Sequence, residues 1–308
     1  MNNQEIIIEL PVYETQKLLD QYLGLHYAPV VVPNSSSSSS SCSYSSSTAA
    51  STTIESIISH PNSPIHSLRF PQRVATLLHT LQQPNSTTSH VRALDIGCAV
   101  GGSSFELAKY FDTVDAFDYS SLFIQAANKM KYHPETVRYH VPIEGDIQVE
   151  MNVALDDNVT REVRQKVNFF VGDACLLETY AYDGTLSLDK YDGVLMSNLL
   201  CRLPDPISCL NGLSQLVNDG GVVVIVTPFS WLEEFTPRCQ WLGGYYDPLS
   251  KKPIFSKDKL RQLMEERGFE KIHEEDVPLI IREHQRKYQY IVSEATGWRK
   301  RQSSLCNY

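Results

Sequence analysis

No apolar run in the 308-residue sequence approaches the roughly 20 residues needed to span a bilayer, so a membrane protein is not expected. The start, MNNQEIIIEL, has neither the basic opening nor the long apolar core of a secretory signal. Cysteine is sparse: seven residues at scattered positions, odd in number and without a CxxC pair. That excludes a disulfide framework and a zinc site, and it fits reduced thiols in the cytoplasm. The nine histidines make no HxH or HxxxH spacing, so no metal is expected. Basic charge is in deficit, with 27 Lys+Arg against 36 Asp+Glu and a net charge of -9. A partner held through phosphates wants a basic face, so nucleic acid is not expected. What remains is 42% hydrophobic and 20% charged, the composition of a soluble globular enzyme acting on a small molecule.

Residues 12–27, VYETQKLLDQYLGLHY, place Val12, Leu18, Leu19, Tyr22, Leu23 and Tyr27 at helical spacing. The serine-dominated stretch 34–60 cannot bury enough apolar surface to offset its ordering entropy, and it reads as a disordered insertion. It divides an N-terminal helical segment, 1–33, from the main domain, 61–308. After the helical PQRVATLLHTL the pattern alternates strand and helix: VRALDIG (91–97), TVDAFDY (113–119), VNFFVGD (167–173), YDGVLMSNLL (191–200) and GGVVVIVTPF (220–229). Short apolar strands separated by helices imply a parallel sheet covered on both faces. The charged segment 142–166 reads as a loop or helical excursion. PLIIREH and KYQYIVSEATGW, only a few residues apart, must pair antiparallel, because a parallel return needs a crossover.

The most informative stretch is LDIGCAVGGSSFELA (94–108), a strand entering a glycine-rich turn that opens directly into a helix. Gly97 and Gly101 permit close backbone approach to a ligand, and Cys98 and Ala99 lie between them. The G-x-x-x-G-G spacing, with Asp95 two positions upstream, resembles an S-adenosylmethionine-binding turn more than a dinucleotide one. Asp118, 23 positions after Asp95 and followed by Tyr119, stands where an acidic group can accept from a ribose diol. Asp115 is the rival, more in place as a structural residue. Asp173 and Ala174 end the third strand, where Asp173 can accept from an adenine amino group or simply cap a loop. Three such groups at the carboxyl ends of successive strands coincide with the edge at which α/β sheets bind ligands.

Beyond the fourth strand, SNLLCRLPDP brings Asn198 and Arg202 towards a transferable group, and no NPPY-like sequence of nucleic-acid methylation stands there. TPFSWLEEFTPRCQWLGGYYDP (227–248) is dense in aromatic and acidic residues, which suits a flat ring. Arg282 and Arg286 bracket the last turn, where either can clamp a carboxylate.

With these motifs the chain resembles the methyltransferase half of the ovothiol-biosynthesis enzymes, the 4-mercaptohistidine N1-methyltransferase family. The likeness runs from YETQKLLDQYLGLHY through the glycine-rich turn and GDAC to FSWLEEFTP, WLGGY, DVPLIIRE and RKYQYIVSEATGWRK. It implies an α/β, Rossmann-like class I sheet, mostly parallel and closed by an antiparallel C-terminal hairpin, with residues 1–33 capping the active site. The implied cofactor is S-adenosylmethionine, and the implied reaction is methylation of a thiohistidine imidazole nitrogen to ovothiol A. The family's usual member carries an iron-dependent sulfoxide synthase ahead of this domain, and this sequence has none. A separate sulfoxide synthase and lyase are therefore expected to supply the substrate. A base must select the ring tautomer, with Glu233, Glu234 and Tyr13 as candidates in that order. Arg282 or Arg202 would hold the carboxylate, and Trp231 or Trp241 would face the ring. Two alternatives stay open: another small-molecule acceptor, or a non-catalytic S-adenosylmethionine-binding module.

Overall fold

A computed structural model describes residues 12–28, 64–82, 90–186 and 190–302. The serine-rich stretch, Cys42 and Cys306 lie outside the described residues. A seven-stranded sheet organises the chain: β1 (Arg92–Ile96), β2 (Thr113–Asp118), β5 (Val167–Val171), β6 (Tyr191–Ser197), β7 (Val217–Thr227), β10 (Phe269–His284) and β11 (Lys287–Lys300). Its order is β10-β11-β7-β6-β1-β2-β5, and β8 (Tyr245–Tyr246) pairs with β9 (Pro253–Ile254) apart from it. The pairs among β5, β2, β1, β6 and β7 are parallel, and β11 lies antiparallel between β7 and β10. The five parallel strands and the closing antiparallel hairpin are those expected from the sequence. The hairpin strands are longer than their apolar runs, because β10 and β11 continue past the level of Thr227 and rise above the sheet's carboxyl edge.

Helices cover both faces. One face carries α1 (Gln16–Tyr27), α2 (Phe70–Leu81), α3 (Gly102–Leu107) and α4 (Ser121–Tyr132) over a core that includes Val74, Leu78, Phe105 and Phe111. The other carries α6 (Leu177–Asp183), α7 (Pro206–Leu216) and α8 (Ser256–Glu266) over Leu210, Leu213, Met264 and Trp298. Local signals set the helix starts. Thr15 caps α1, splitting the expected 12–27 helix into a single 3-10 turn, Val12–Glu14, and α1 proper. Ser120 caps α4 through Phe123 N, and Asp205 caps α7 ahead of Pro206. Among the described residues no helix is long and apolar enough to cross a membrane.

The segment 142–166 corrects the sequence expectation. It is an antiparallel hairpin, β3 (Arg138–Glu144) with β4 (Ile147–Asn152), followed by a short helix, α5 (Arg161–Gln165). Alternate burial along β3, with Tyr139 and Val141 inward, gives it one core face. Charge on the opposite face hid that alternation.

Asp115 proves to be a structural cross-link. Its Oδ2 accepts from Arg92 Nη2 at 2.9 Å and from Tyr191 Oη at 2.7 Å, and its Oδ1 accepts from Asn168 Nδ2 at 3.0 Å. One buried carboxylate thereby ties β1, β2, β5 and β6. Asp115→Ala should lower unfolding free energy by about 3–5 kcal/mol, because it leaves a largely buried guanidinium and phenol without their acceptor. Urea denaturation measures this, and a loss below about 1 kcal/mol would mean the four strands do not depend on it.

Candidate functional site

The turn after β1 reverses the chain through left-handed backbone at Gly97 (φ 75°), Ala99 (φ 48°) and Gly101 (φ 87°). A Cβ on Gly97 would press on Leu199, and one on Gly101 would sit 2.6 Å from Phe169 Cζ. Close packing of protein side chains, as well as room for a ligand, therefore demands glycine there. Two carboxylates hold the turn. Asp118 Oδ2 accepts from Ala99 N, and Oδ1 accepts from Ser120 N, both at 2.9 Å. Asp95 Oδ2 accepts from Ser103 Oγ at 2.9 Å and Ser104 Oγ at 2.7 Å, while its Oδ1 is buried with no hydrogen-bond partner. Burial raises both carboxyls to about 6, and the hydrogen bonds only partly offset that.

The same edge holds the rest of the predicted cofactor set. Cys98 and Ala99 are buried in the turn, and burial pushes the Cys98 thiol up, so it stays neutral. Tyr119 is 71% exposed, flanking Asp118. Asp173 caps the turn after β5 by accepting from Cys175 N at 2.8 Å, with Ala174 buried behind it. Asn198, left-handed at φ 54°, is fixed at both ends: its N donates to Val226 O, and its Oδ1 accepts from Ser293 Oγ of β11.

The N-terminal segment is strapped across this edge. Ser120 Oγ donates to Tyr13 O, Ser121 N donates to Glu14 Oε1, Tyr27 Oη donates to Val100 O, and Gly102 N donates to His26 Nδ1. The last bond requires the lone pair of His26 Nδ1, and burial lowers its pKa to about 3, so the ring is neutral with its proton on Nε2. Sequence reasoning passed over His26; its only trace is the i, i+4 pairing with Tyr22 on α1.

The structure brings Tyr13 and Arg202 together and leaves the other catalytic candidates outside. Tyr13 packs on Phe123 and Phe235, and the Arg202 guanidinium lies 5.0 Å from the Phe235 centroid. Burial raises the Tyr13 pKa against the opposing pull of Arg202, so the phenol keeps its proton at neutral pH and is a hydrogen-bonding group rather than a base. Arg202 is largely committed, donating to Cys201 O, Ser230 O and Ser230 Oγ.

Glu233 and Glu234 are both exposed on a loop, and Glu233 faces Arg238 at 3.8 Å. The two tryptophans of this loop are anchored through their ring nitrogens. Trp231 Nε1 donates to Ser256 Oγ, Trp241 Nε1 donates to Thr236 O, and the rings stack on each other at 6.4 Å, so they brace the loop. Arg286 is exposed at the hairpin tip.

Arg282 lines a cavity of about 860 Å³, within the size range of small-molecule sites. The cavity lies between α1, the β3–β4 hairpin, residues 67–72 and the rising end of β10. His26 belongs to its wall as well as to the turn after β1. Asp20, Gln72 and Tyr139 also face it, and none of these was singled out from sequence. Their signal was weak: Asp20 is a lone charge among Leu19, Leu23 and Tyr27 on the buried side of α1.

The family model described as Methyltransferase domain matches residues 66–274, more than half of the chain. None of the curated proteins matches it in sequence. A Methanosarcina mazei structure titled as one of the SAM-dependent methyltransferases is 18% identical, covering 71% of this chain and 96% of its own, with a TM-score of 0.43. Magnesium protoporphyrin IX methyltransferase from Synechocystis, with bound SAM, is 13% identical over 75% and 80%, also at 0.43. The [4+2]-cyclase SpnF is 12% identical over 75% and 82%, at 0.46.

An ammonium and a ribose diol both call for acceptors, and this edge carries Asp95 Oδ1, buried without a partner, and the carboxylate of Asp118. Asp118→Ala should weaken binding of S-adenosylmethionine by about 1.5–3 kcal/mol, the scale of charge-assisted hydrogen bonds. Binding also has a defined pH dependence. A cationic ligand favours the ionised carboxylates, so affinity should rise about tenfold per carboxylate, about a hundredfold in all, from pH 5 to pH 7 and level off above about 7. Titration calorimetry across that range checks both statements, and a flat profile would mean that neither carboxylate meets the ligand.

Proposed function

Because the chain belongs to the methyltransferase-domain family and is an S-adenosylmethionine-dependent methyltransferase, we propose that its acceptor is thiohistidine, methylated on an imidazole nitrogen to give ovothiol A. When bound, S-adenosylmethionine supplies an electrophilic sulfonium methyl. The chain's own residues hold and enclose it. Asp95 Oδ1, the one buried acceptor of the turn without a partner, takes the ammonium, and Asp118 takes the ribose. Asp173 and Ala174 face the adenine. That vacant acceptor carries the cofactor side of the reading.

The acceptor side rests on the sequence likeness and on how its most specific segments fold. FSWLEEFTP and WLGGY form one block through the Trp231–Trp241 stack, and Phe235 of that block meets Tyr13 and Arg202 beside the cofactor edge. Tyr13, kept protonated, orients the ring rather than deprotonating it. Displacement at a methyl needs little beyond alignment of nucleophile and methyl, so positioning and exclusion of water carry the acceleration. The ring proton leaves to solvent. In this reading a separate sulfoxide synthase and lyase make the thiohistidine, and the segment 1–33 serves as the cap.

Purified protein with labelled cofactor should give a kcat/KM for thiohistidine at least about a hundredfold above that for histidine, since a site built for the sulfur loses contacts without it. Mass spectrometry of the products measures this. Comparable values would overturn the ovothiol assignment and leave the methyltransferase standing.

A further inference from the structure

A frame of aromatic rings stands at the cofactor edge. Phe123 of α4 meets Tyr22 of α1 at 4.9 Å and Tyr13 at 6.1 Å between ring centroids. Tyr13 in turn meets Phe235 at 5.8 Å, and the Arg202 guanidinium lies 5.0 Å from that ring. The Tyr22 phenol faces Tyr13, Asp118, Arg202 and Cys201, so α1 turns it towards the carboxyl edge of the sheet. Both tyrosines are half-buried, and among the described residues no group hydrogen-bonds the Tyr22 hydroxyl. Burial raises both phenols, so each keeps an O–H to donate. Arg202 completes no carboxylate clamp here, because its donors go to Cys201 O, Ser230 O and Ser230 Oγ. Two hydroxyl donors set among aromatic rings suit a soft, weakly hydrated anion, and sulfur packs favourably against ring edges. A carboxylate in the same frame would give up stronger hydration with no free guanidinium to replace it.

We infer that Tyr22, together with Tyr13, holds the acceptor's sulfur as a thiolate and so directs the methyl to the ring nitrogen. The inference rests on the thiohistidine reading and deepens it, by naming the groups that sense the sulfur and keep it from reacting. Once the ring proton has left to solvent, both the sulfur and one ring nitrogen carry free lone pairs. The thiolate is the softer and stronger nucleophile of the two. Two O–H donors on the sulfur stabilise its charge and lower its nucleophilicity. The nitrogen then forms its bond to the methyl as the methyl–sulfonium bond breaks, and that electron pair stays on the cofactor's sulfur. The ring enters the step with one negative charge, held on sulfur, and leaves it as a thiolate–imidazolium zwitterion. Charge balances, and no base acts in the transfer itself.

The test is a product assay on the full chain with labelled S-adenosylmethionine, thiohistidine and histidine. Mass spectrometry and thiol titration read the products, and calorimetry reads cofactor affinity. Tyr22→Phe removes one hydroxyl at nearly constant volume. It should lower the kcat/KM preference for thiohistidine over histidine about tenfold, the scale of one charge-assisted hydrogen bond. Part of its product should no longer titrate as a thiol, because the methyl has gone to sulfur. Affinity for S-adenosylmethionine should stay within about twofold. Tyr13→Phe should shift preference and product the same way, and it decides the matter if Tyr22→Phe does not fold. Variants whose preference and product match the wild type overturn the inference and leave the ovothiol reading standing. So does an equal loss of kcat/KM for both acceptors, the mark of a structural role. A loss of cofactor affinity of about tenfold with preference unchanged also overturns it, by setting the phenol against the cofactor. Equal kcat/KM for the two acceptors in the wild type overturns the ovothiol reading, and the inference with it.

Discussion

The hydrogen bond from Ala99 N to Asp118 Oδ2 is the contact on which the site depends. Ala99 is a non-glycine residue held left-handed, and the end of β2 supplies the acceptor that makes this tolerable. The bond fixes the direction in which the chain leaves β1, and with it the start of α3 and the placing of Ser103 and Ser104 over Asp95. It also fixes Ser120, which caps α4 and holds Tyr13. Two buried carboxyls raised to about 6 are unfavourable for the fold at neutral pH. Their pKa lies above the unfolded value, so their burden on stability grows as pH rises from about 4 to 6. A cationic ligand beside them would relieve that burden.

Much of the architecture was legible because it follows from periodicity. Short apolar strands alternating with amphipathic helices gave the parallel sheet, and the brief gap between two apolar runs gave the antiparallel closure. The acidic residues at the strand ends were legible for a similar reason: strand ends converge on one edge. The β3–β4 hairpin was not, because its inward residues alternate with charge and Pro142 interrupts them. The surroundings of Glu233 and of the two tryptophans were not legible for another reason. Composition shows that a loop is rich in aromatic residues, while only packing shows that the rings are spent on each other.

The cavity escaped sequence reading almost wholly. Its walls come from four separate segments, and no single one carries a motif. Arg282 was singled out, yet the groups facing it, Asp20 and Gln72, lie on helices whose apolar faces drew the attention. Polar residues on such helices ordinarily meet water. Here the rising ends of β10 and β11 and the β3–β4 hairpin roof them over, a long-range closure that local pattern does not encode.

The account's central claim is that the turn after β1 and the end of β2 hold the cofactor, and amide hydrogen exchange tests this most directly. With S-adenosylhomocysteine, protection should rise at residues 97–103 and 118–120. With thiohistidine added, further protection should appear at residues 198–203 and 229–236, beside Tyr13. Protection by S-adenosylhomocysteine that spares residues 97–103 and 118–120 would contradict the account.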